Sequence, residues 1–315
     1  MAVARDGPRA HRRPPSREIR MTQSDDAAPG SRPHPTPPMP AQHLPKPGEE
    51  ARMALRPQYL APGYQGSGKL AGMAAIVTGG DSGIGRAVSV LFAREGADVA
   101  IVYLNEHEDA RETERAVQAE GRRCLLIAGD VRESAFCDRA VEQAAQAFGR
   151  LDVLVNNAAY QQHDEGLSAI SDEKWDKTLR TNIYGYFYMA RAILPHLRAG
   201  AAIINTGSVT GLRGSGGLLD YSTSKGAIHA FTRSLASNLA SQGIRVNAVA
   251  PGPVWTPLNP ADRDADEIPS FGQDTELGRP AQPEEISPAY VFLAAPACSS
   301  YITGIVLPIT GSAGD

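Results

Sequence analysis

Hydrophobic positions along the chain fall into two alternating kinds of segment. Short runs rich in Val, Ile, Leu and Ala are almost continuous: MAAIVTGG from Met73, DVAIVYL from Asp98, RCLLIAGD from Arg123 and LDVLVNNAA from Leu151. Between them lie longer stretches with apolar residues three and four apart, such as GIGRAVSVLFAREGA from Gly83 and ESAFCDRAVEQAAQAFG from Glu133, and the charged EDARETERAVQAEG from Glu108. A helical pattern over 172–197 leads to a strand at AAIINTGS, a helix holding Tyr221, and a strand at IRVNAVAPG. A loop, a short helix over 284–294 and a last strand near TGIVLPIT complete the pattern. Strands that are apolar on both faces and alternate with helices imply a parallel sheet covered on both sides. Right-handed crossovers then give one doubly wound α/β domain with a seven-stranded parallel sheet.

The pattern stops short of the amino terminus. Residues 1–68 are crowded with Pro, Gly, Ser and charge, as in SRPHPTPPMPAQHLPKPGEE, and show neither period. Such a composition does not offset its own ordering entropy, so residues 1–68 read as a disordered extension and 69–315 as the domain. The first twenty residues carry six arginines against Asp6 and Glu18. Arg12-Arg13 lacks the apolar stretch that an export signal needs, and the start site stays open between Met1 and Met21.

Composition narrows the function classes. A net charge of −4 argues against a general nucleic-acid binder. Cys124, Cys137 and Cys298 are odd in number and lie outside any CxxC, which argues for a reducing, cytoplasmic compartment over a disulfide framework. The seven histidines form no ligand cluster, so no metal is expected, and no apolar run is long enough to span a bilayer.

Two stretches carry candidate chemistry. TGGDSGIG, with Gly79, Ser82, Gly83, Ile84 and Gly85, ends the first strand and opens the first helix. Glycines there allow a tight turn, and a helix N-terminus offers free N–H groups to an anionic pyrophosphate. In LLDYSTSKGAIHAFTRSLA, Tyr221 and Lys225 lie four apart and share one helix face. A phenol ordinarily titrates near about 10, too high for neutral proton transfer, and a neighbouring ammonium favours its phenolate.

TGGDSGIG, GDV, NNAA, Asn182, Ser208, Tyr221-x-x-x-Lys225 and PGPVWT, in that order, resemble the short-chain dehydrogenase/reductase family over roughly residues 69–310. YQGSGKLAG, NEHEDA, TNIYGYF, APGPVWTPLNP and the Pro-rich extension resemble its glucose/ribitol dehydrogenase-like, stress-protein oxidoreductase subgroup. The resemblance implies a Rossmann-like fold and an NAD(P)-dependent interconversion of an alcohol and a small or sugar-like aldehyde or ketone. Tyr221 is then the general acid/base and Lys225 its partner and a ribose ligand. Ser208 is the donor to the substrate oxygen, and Asn182 the anchor of a water leading to the lysine. Asp130 and Val131 would meet the adenine, and Asn156 would stand on the cofactor side. Pro251, Gly252, Val254 and Thr256 would line the nicotinamide. Ala159 departs from the family's usual glycine, and Trp255 is open between substrate wall and core.

Cofactor choice is left between NAD and NADP. Tyr103 stands where an acid would select NAD, Ser82 supplies no positive charge for a 2′-phosphate, and Glu106 leans back toward NAD. The acidic, Pro-rich loop after PGPVW reads as a substrate lid suited to a neutral or hydroxyl-rich molecule. The resemblance also implies a homo-oligomer, a tetramer. Against the enzyme stand a non-catalytic nucleotide-sensing protein and an epimerase or dehydratase. Intact Ser208, Tyr221 and Lys225 oppose the first, and the short carboxyl-terminal part opposes the second.

Overall fold

The computed structural model describes residues 33–313, so the arginine-rich stretch and the Met1/Met21 question lie outside the described residues. Seven parallel strands are described: β1 Ala74–Thr78, β2 Asp98–Tyr103, β3 Cys124–Ala128, β4 Val153–Asn156, β5 Ala202–Thr206, β6 Arg245–Pro251 and β7 Val306–Ile309. Their order is β3-β2-β1-β4-β5-β6-β7, with Thr78 beside Val102 on one side of β1 and Val77 beside Val155 on the other. Every residue of β1, β2, β4, β5 and β6 is buried, which is why these runs show no polar alternation. This is the doubly wound sheet that the sequence predicts.

The helices are α1 Gly83–Arg94, α2 His107–Ala119, α3 Ser134–Phe148, α4 Asp172–Leu179, α5 Gly185–Ile193, α6 Thr210–Arg213, α7 Leu219–Leu239, α8 Pro283–Ala294 and α9 Pro296–Ser299. One core lies under α1, α2 and α8, where Val88, Leu91, Phe92, Val117, Ile286 and Val291 meet Val77, Val99 and Ile101. The other lies under α3, α5 and α7, where Cys137, Val141, Met189, Ile193 and Leu239 meet Ile76, Leu154 and Val246. The long helical run is interrupted between α4 and α5 by a π turn, Arg180–Tyr184, with the Gly185 N–H reaching back to the Arg180 carbonyl. No helix among the described residues is long and apolar enough to cross a membrane.

Residues 33–68 depart from the expected disorder: they are ordered against the domain. Met39, Leu44 and Met53 form a third core with Trp255, Ala261 and Ile268. The segment has little regular hydrogen bonding of its own beyond the turn at Glu50–Arg52, and many of its backbone donors meet the domain: the Met39 and Leu44 N–H groups reach the Pro269 and Pro260 carbonyls, and others reach side chains. Asp109 accepts from the Glu50 and Ala51 N–H groups, Gln282 from Gln58, Glu284 from Ala61, and Glu95 from Ser67 and Lys69. Buried carboxylates of the domain thus do for this strap what a strand partner would do elsewhere. Pattern analysis reads only local periods and is blind to such partners.

Candidate active site

Strands β1 and β4 are neighbours, yet the chain leaves them toward opposite edges of the sheet. That switch point opens a crevice at the strands' carboxyl ends. A continuous cavity of about 650 Å³ occupies it, within the size range of small-molecule sites. At one end stands the turn from β1 into α1. Gly83 has a left-handed φ of +50°, and a methyl group at Gly85 would lie 1.9 Å from the Gly79 carbonyl oxygen. The helix therefore begins directly against the turn, with no room for a side chain. The Gly83 N–H, the first of α1, donates to Glu50 Oε2 at 2.7 Å, and Arg86 Nη1 meets Glu50 Oε1 at 2.6 Å.

At the other end Ser208, Tyr221 and Lys225 converge from the end of β5 and the start of α7. The Ser208 hydroxyl accepts from the Thr210 N–H at 3.1 Å and from the Thr210 hydroxyl at 3.0 Å, and it lines the cavity beside Tyr221. Lys225 Nζ lies 5.5 Å from the Tyr221 ring centroid and donates to the Thr206 carbonyl at 2.7 Å and the Tyr186 hydroxyl at 3.3 Å. All three are buried. In the protein alone, the phenol moves opposite to the sequence expectation. Burial pushes Tyr221 up to about 12, the Ser208 hydroxyl opposes this, and the Asp262 carboxylate adds to it. Burial also lowers Lys225 to about 7. Spacing along a helix sets proximity but not the desolvation that dominates here.

Gly79, Ser82, Gly83, Ile84, Asp130, Val131, Ser208, Tyr221, Lys225, Pro251, Gly252, Val254 and Thr256 all line the cavity. Gly85 lies just behind the turn. Asp130 carries Arg132 on its carboxylate, Nε at 2.8 Å, and accepts the Arg132 N–H at 2.9 Å. Asn156 is not in the cavity. It is fully buried in β4, donating to Asn205 Oδ1 at 3.0 Å, while Asn157 lines the cavity and donates to the Gly79 carbonyl at 3.2 Å. Neighbouring strand residues point to opposite sides, so an offset of one exchanges core for crevice. The buried Asn182 side chain is engaged in structure: Oδ1 accepts the Tyr160 N–H at 2.8 Å, and Nδ2 donates to the Tyr160 carbonyl and to Ser224 Oγ, each at 2.9 Å. It clamps the loop after β4 onto α7. Trp255 is core, with Nε1 donating to the Leu55 carbonyl at 2.9 Å.

Sequence reasoning missed several lining residues. Lys46, Pro47 and Gly48 come from the strap, Tyr160, Gln161 and His163 from the loop after β4, and Asn259, Arg263 and Phe271 from the loop after β6. Only Asn157 carried a usable signal, its place directly after the last residue of β4. The loop after β6, expected as a lid, lines the cavity through Asn259, Arg263 and Phe271 and is packed against the strap.

A family model described as enoyl-(acyl carrier protein) reductase, adh_short_C2, matches residues 79–311. A solved short-chain dehydrogenase from Burkholderia cenocepacia J2315, in complex with NADP, superposes with a TM-score of 0.72 at 34% identity, covering 78% of this chain and 98% of that one. The chain belongs to the short-chain dehydrogenase/reductase family. Within that family it is similar to the glucose and ribitol dehydrogenase of Daucus carota, 48% identical over 85% of this chain and 94% of that protein. It is also similar to NADPH-dependent aldehyde reductase 1, chloroplastic, of Arabidopsis thaliana, 46% identical over 86% and 96%. It is therefore an NAD(P)-dependent oxidoreductase acting on small molecules. The residues present fit the dinucleotide: a turn too tight for any Cβ at one end of the cavity, a lysine and a phenol at the other.

Proposed function

We propose that the protein interconverts an alcohol and an aldehyde or ketone, with Tyr221 as general acid/base. The carrying observation is that Ser208, Tyr221 and Lys225 share the far end of the cavity that begins at the Gly79–Gly85 turn. Gly79, Ser82, Gly83, Ile84, Asp130, Asn157 and the Pro251–Thr256 loop would hold the nicotinamide dinucleotide, NAD or NADP, and when bound it supplies or accepts the hydride. Ser208 donates to the substrate oxygen and fixes its place beside the phenol. In reduction Tyr221 gives its proton to that oxygen; a phenol pushed up to about 12 is fully protonated at neutral pH and ready for this direction. In oxidation it must take the proton, and the protonated fraction of Lys225, which burial lowers to about 7, stabilises the phenolate from 5.5 Å away. The names of the carrot and Arabidopsis relatives support sugars, polyols and aldehydes as the substrates to try.

The test is NAD(P)H oxidation with a panel of aldehydes and sugar aldehydes, in wild type and Tyr221→Phe. The variant is expected to lose turnover by at least about 100-fold, as removal of a general acid does, while retaining NADPH binding. An unchanged rate would refute the mechanism. We further infer a homotetramer, supported by exposed Tyr184 and Phe187 on the α5 side, which light scattering checks. The free Cys124, Cys137 and Cys298 support a reducing, cytoplasmic setting.

A further inference from the structure

The strap reaches the substrate end of the cavity through one cation. Lys46 Nζ donates to the Gln161 carbonyl at 2.6 Å, lies 3.8 Å from Asp262 Oδ1 and stands 5.2 Å from the Tyr160 ring centroid. Asp262, in the loop after β6, has a carboxylate with no solvent exposure. Gln161 Nε2 donates to it at 2.6 Å, the His163 N–H at 2.7 Å, and His163 Nδ1 lies at 2.6 Å. Three polar side chains that line the cavity, Lys46, Gln161 and His163, are thus mounted on one buried acid. Ser208 and Tyr221 line the same cavity as these three side chains.

Lys46 is anchored by the residues that follow it. Two residues on, Gly48 (φ +99°) sits so tightly on the loop after β6 that an added Cβ would lie 2.7 Å from the Pro257 carbonyl oxygen. Two residues further, Glu50 is fixed to Gly83 and Arg86. A lysine otherwise keeps much rotamer freedom, and the hydrogen bond to the Gln161 carbonyl with the nearby Asp262 charge restricts it before any ligand arrives. Its side chain is 28% exposed, toward the cavity it lines.

We propose that Lys46 is a specificity-determining residue, its ammonium hydrogen-bonding a neutral hydroxyl oxygen of the substrate remote from the reacting carbon. The proposal rests on the alcohol–carbonyl reaction above. Gln161 takes one ammonium proton, and the ammonium's charge is matched by Asp262. A substrate hydroxyl needs only a remaining Lys46 N–H, and the buried Asp262 carboxylate 3.8 Å from the ammonium already supplies a negative partner, although Lys177 also lines the cavity 4.2 Å from the Tyr160 ring. A chain lacking the hydroxyl leaves that donor facing apolar surface, which is the asymmetry that lets polar sites reject apolar analogues.

Full-length wild type and Lys46→Met are compared on matched aldehydes, erythrose and butanal, with erythrose 4-phosphate as the charged arm and an NADPH titration as control. Wild type should favour erythrose over butanal. Lys46→Met should lose about 10–100-fold in kcat/KM on erythrose, the worth of a charge-assisted hydrogen bond, with butanal and NADPH affinity held within about twofold. Equal losses on both aldehydes, no loss on erythrose, or a parallel loss of NADPH affinity would assign Lys46 to packing alone and overturn the proposal. Wild-type preference for erythrose 4-phosphate would overturn the neutral-oxygen assignment. Absence of wild-type turnover of any aldehyde, or a fully active Tyr221→Phe, is the distinct failure of the reaction itself, and the Lys46 assignment falls with it.

Discussion

Glu50→Ala removes a carboxylate with no exposure that serves two partners at once, the Gly83 N–H at 2.7 Å and Arg86 Nη1 at 2.6 Å. Arg86 is itself fully buried, and it keeps Asp109 at 3.4 Å, Glu112 at 3.2 Å and the Asp81 carbonyl at 2.9 Å. Its charge is therefore not abandoned, but one guanidinium N–H and the Gly83 N–H lose acceptors, and the space of the side chain is left behind. Truncating one member of a buried ion pair costs about 3–5 kcal/mol, against about 1 kcal/mol for one ordinary hydrogen bond. Glu50→Gln separates charge from geometry, because its amide oxygen still accepts one hydrogen bond. Burial raises the Glu50 carboxyl above its ordinary range despite the opposing Arg86 charge, so the ionised form adds little net stability and the glutamine should cost less than the alanine. At about 2–4 °C per kcal/mol for a domain of this size, the alanine variant should melt roughly 6–20 °C lower and the glutamine variant by a smaller amount. Urea unfolding followed by circular dichroism reads both. An alanine variant no less stable than the glutamine one would mean that the strap does not fold with the domain, and the placement of Lys46 would lose its support.

Gly85→Ala should abolish NADPH binding measured by fluorescence titration, since its methyl group meets the backbone oxygen of Gly79 at 1.9 Å, while Gly216→Ala, which meets nothing, should be silent; equal affinities in the two variants would contradict the tight turn. A pH dependence follows from Lys225, whose folded pKa of about 7 lies below the ordinary 10.5. Between those values the unfolded chain holds a proton that the folded one has released, so this group makes stability rise with pH by up to about 1.4 kcal/mol per unit, with nothing further below 7. Urea midpoints of the nucleotide-free protein at pH 6.5–9.5, minus those of Lys225→Met, should show that rise, and parallel curves would remove it. Tyr221, pushed up to about 12, titrates outside this window.

The layers of the sheet and the glycine turn were legible because their causes are local. A parallel strand covered on both faces must be apolar throughout, and a helix starting against a turn admits no Cβ. The order of Ser208, Tyr221 and Lys225 was legible through resemblance, and a four-residue helical spacing brings the last two together by geometry alone. Asn156 and Asn157 mark the resolution limit of that reading: adjacent identical residues, the last of β4 and the first beyond it, have opposite fates, and only the direction each side chain takes separates them.

Residues 33–68 mark the other limit. No period in SRPHPTPPMPAQHLPKPGEE announces order, because the groups that order it, Asp109, Glu284, Glu95 and Gln282, are far away in the chain. The same holds for Lys46, Gln161, His163 and Asp262, which come from three loops and meet only after the sheet has closed. Proton affinities belong with them, since the rise of Tyr221 and the fall of Lys225 come from burial. The sequence by itself determined the layers, the turn and the order of the reacting groups, which depend on neighbours a few residues apart. Tertiary structure alone decided which amide faces the crevice, what the strap does and how acidic the phenol is, because those depend on distant groups and on the exclusion of water.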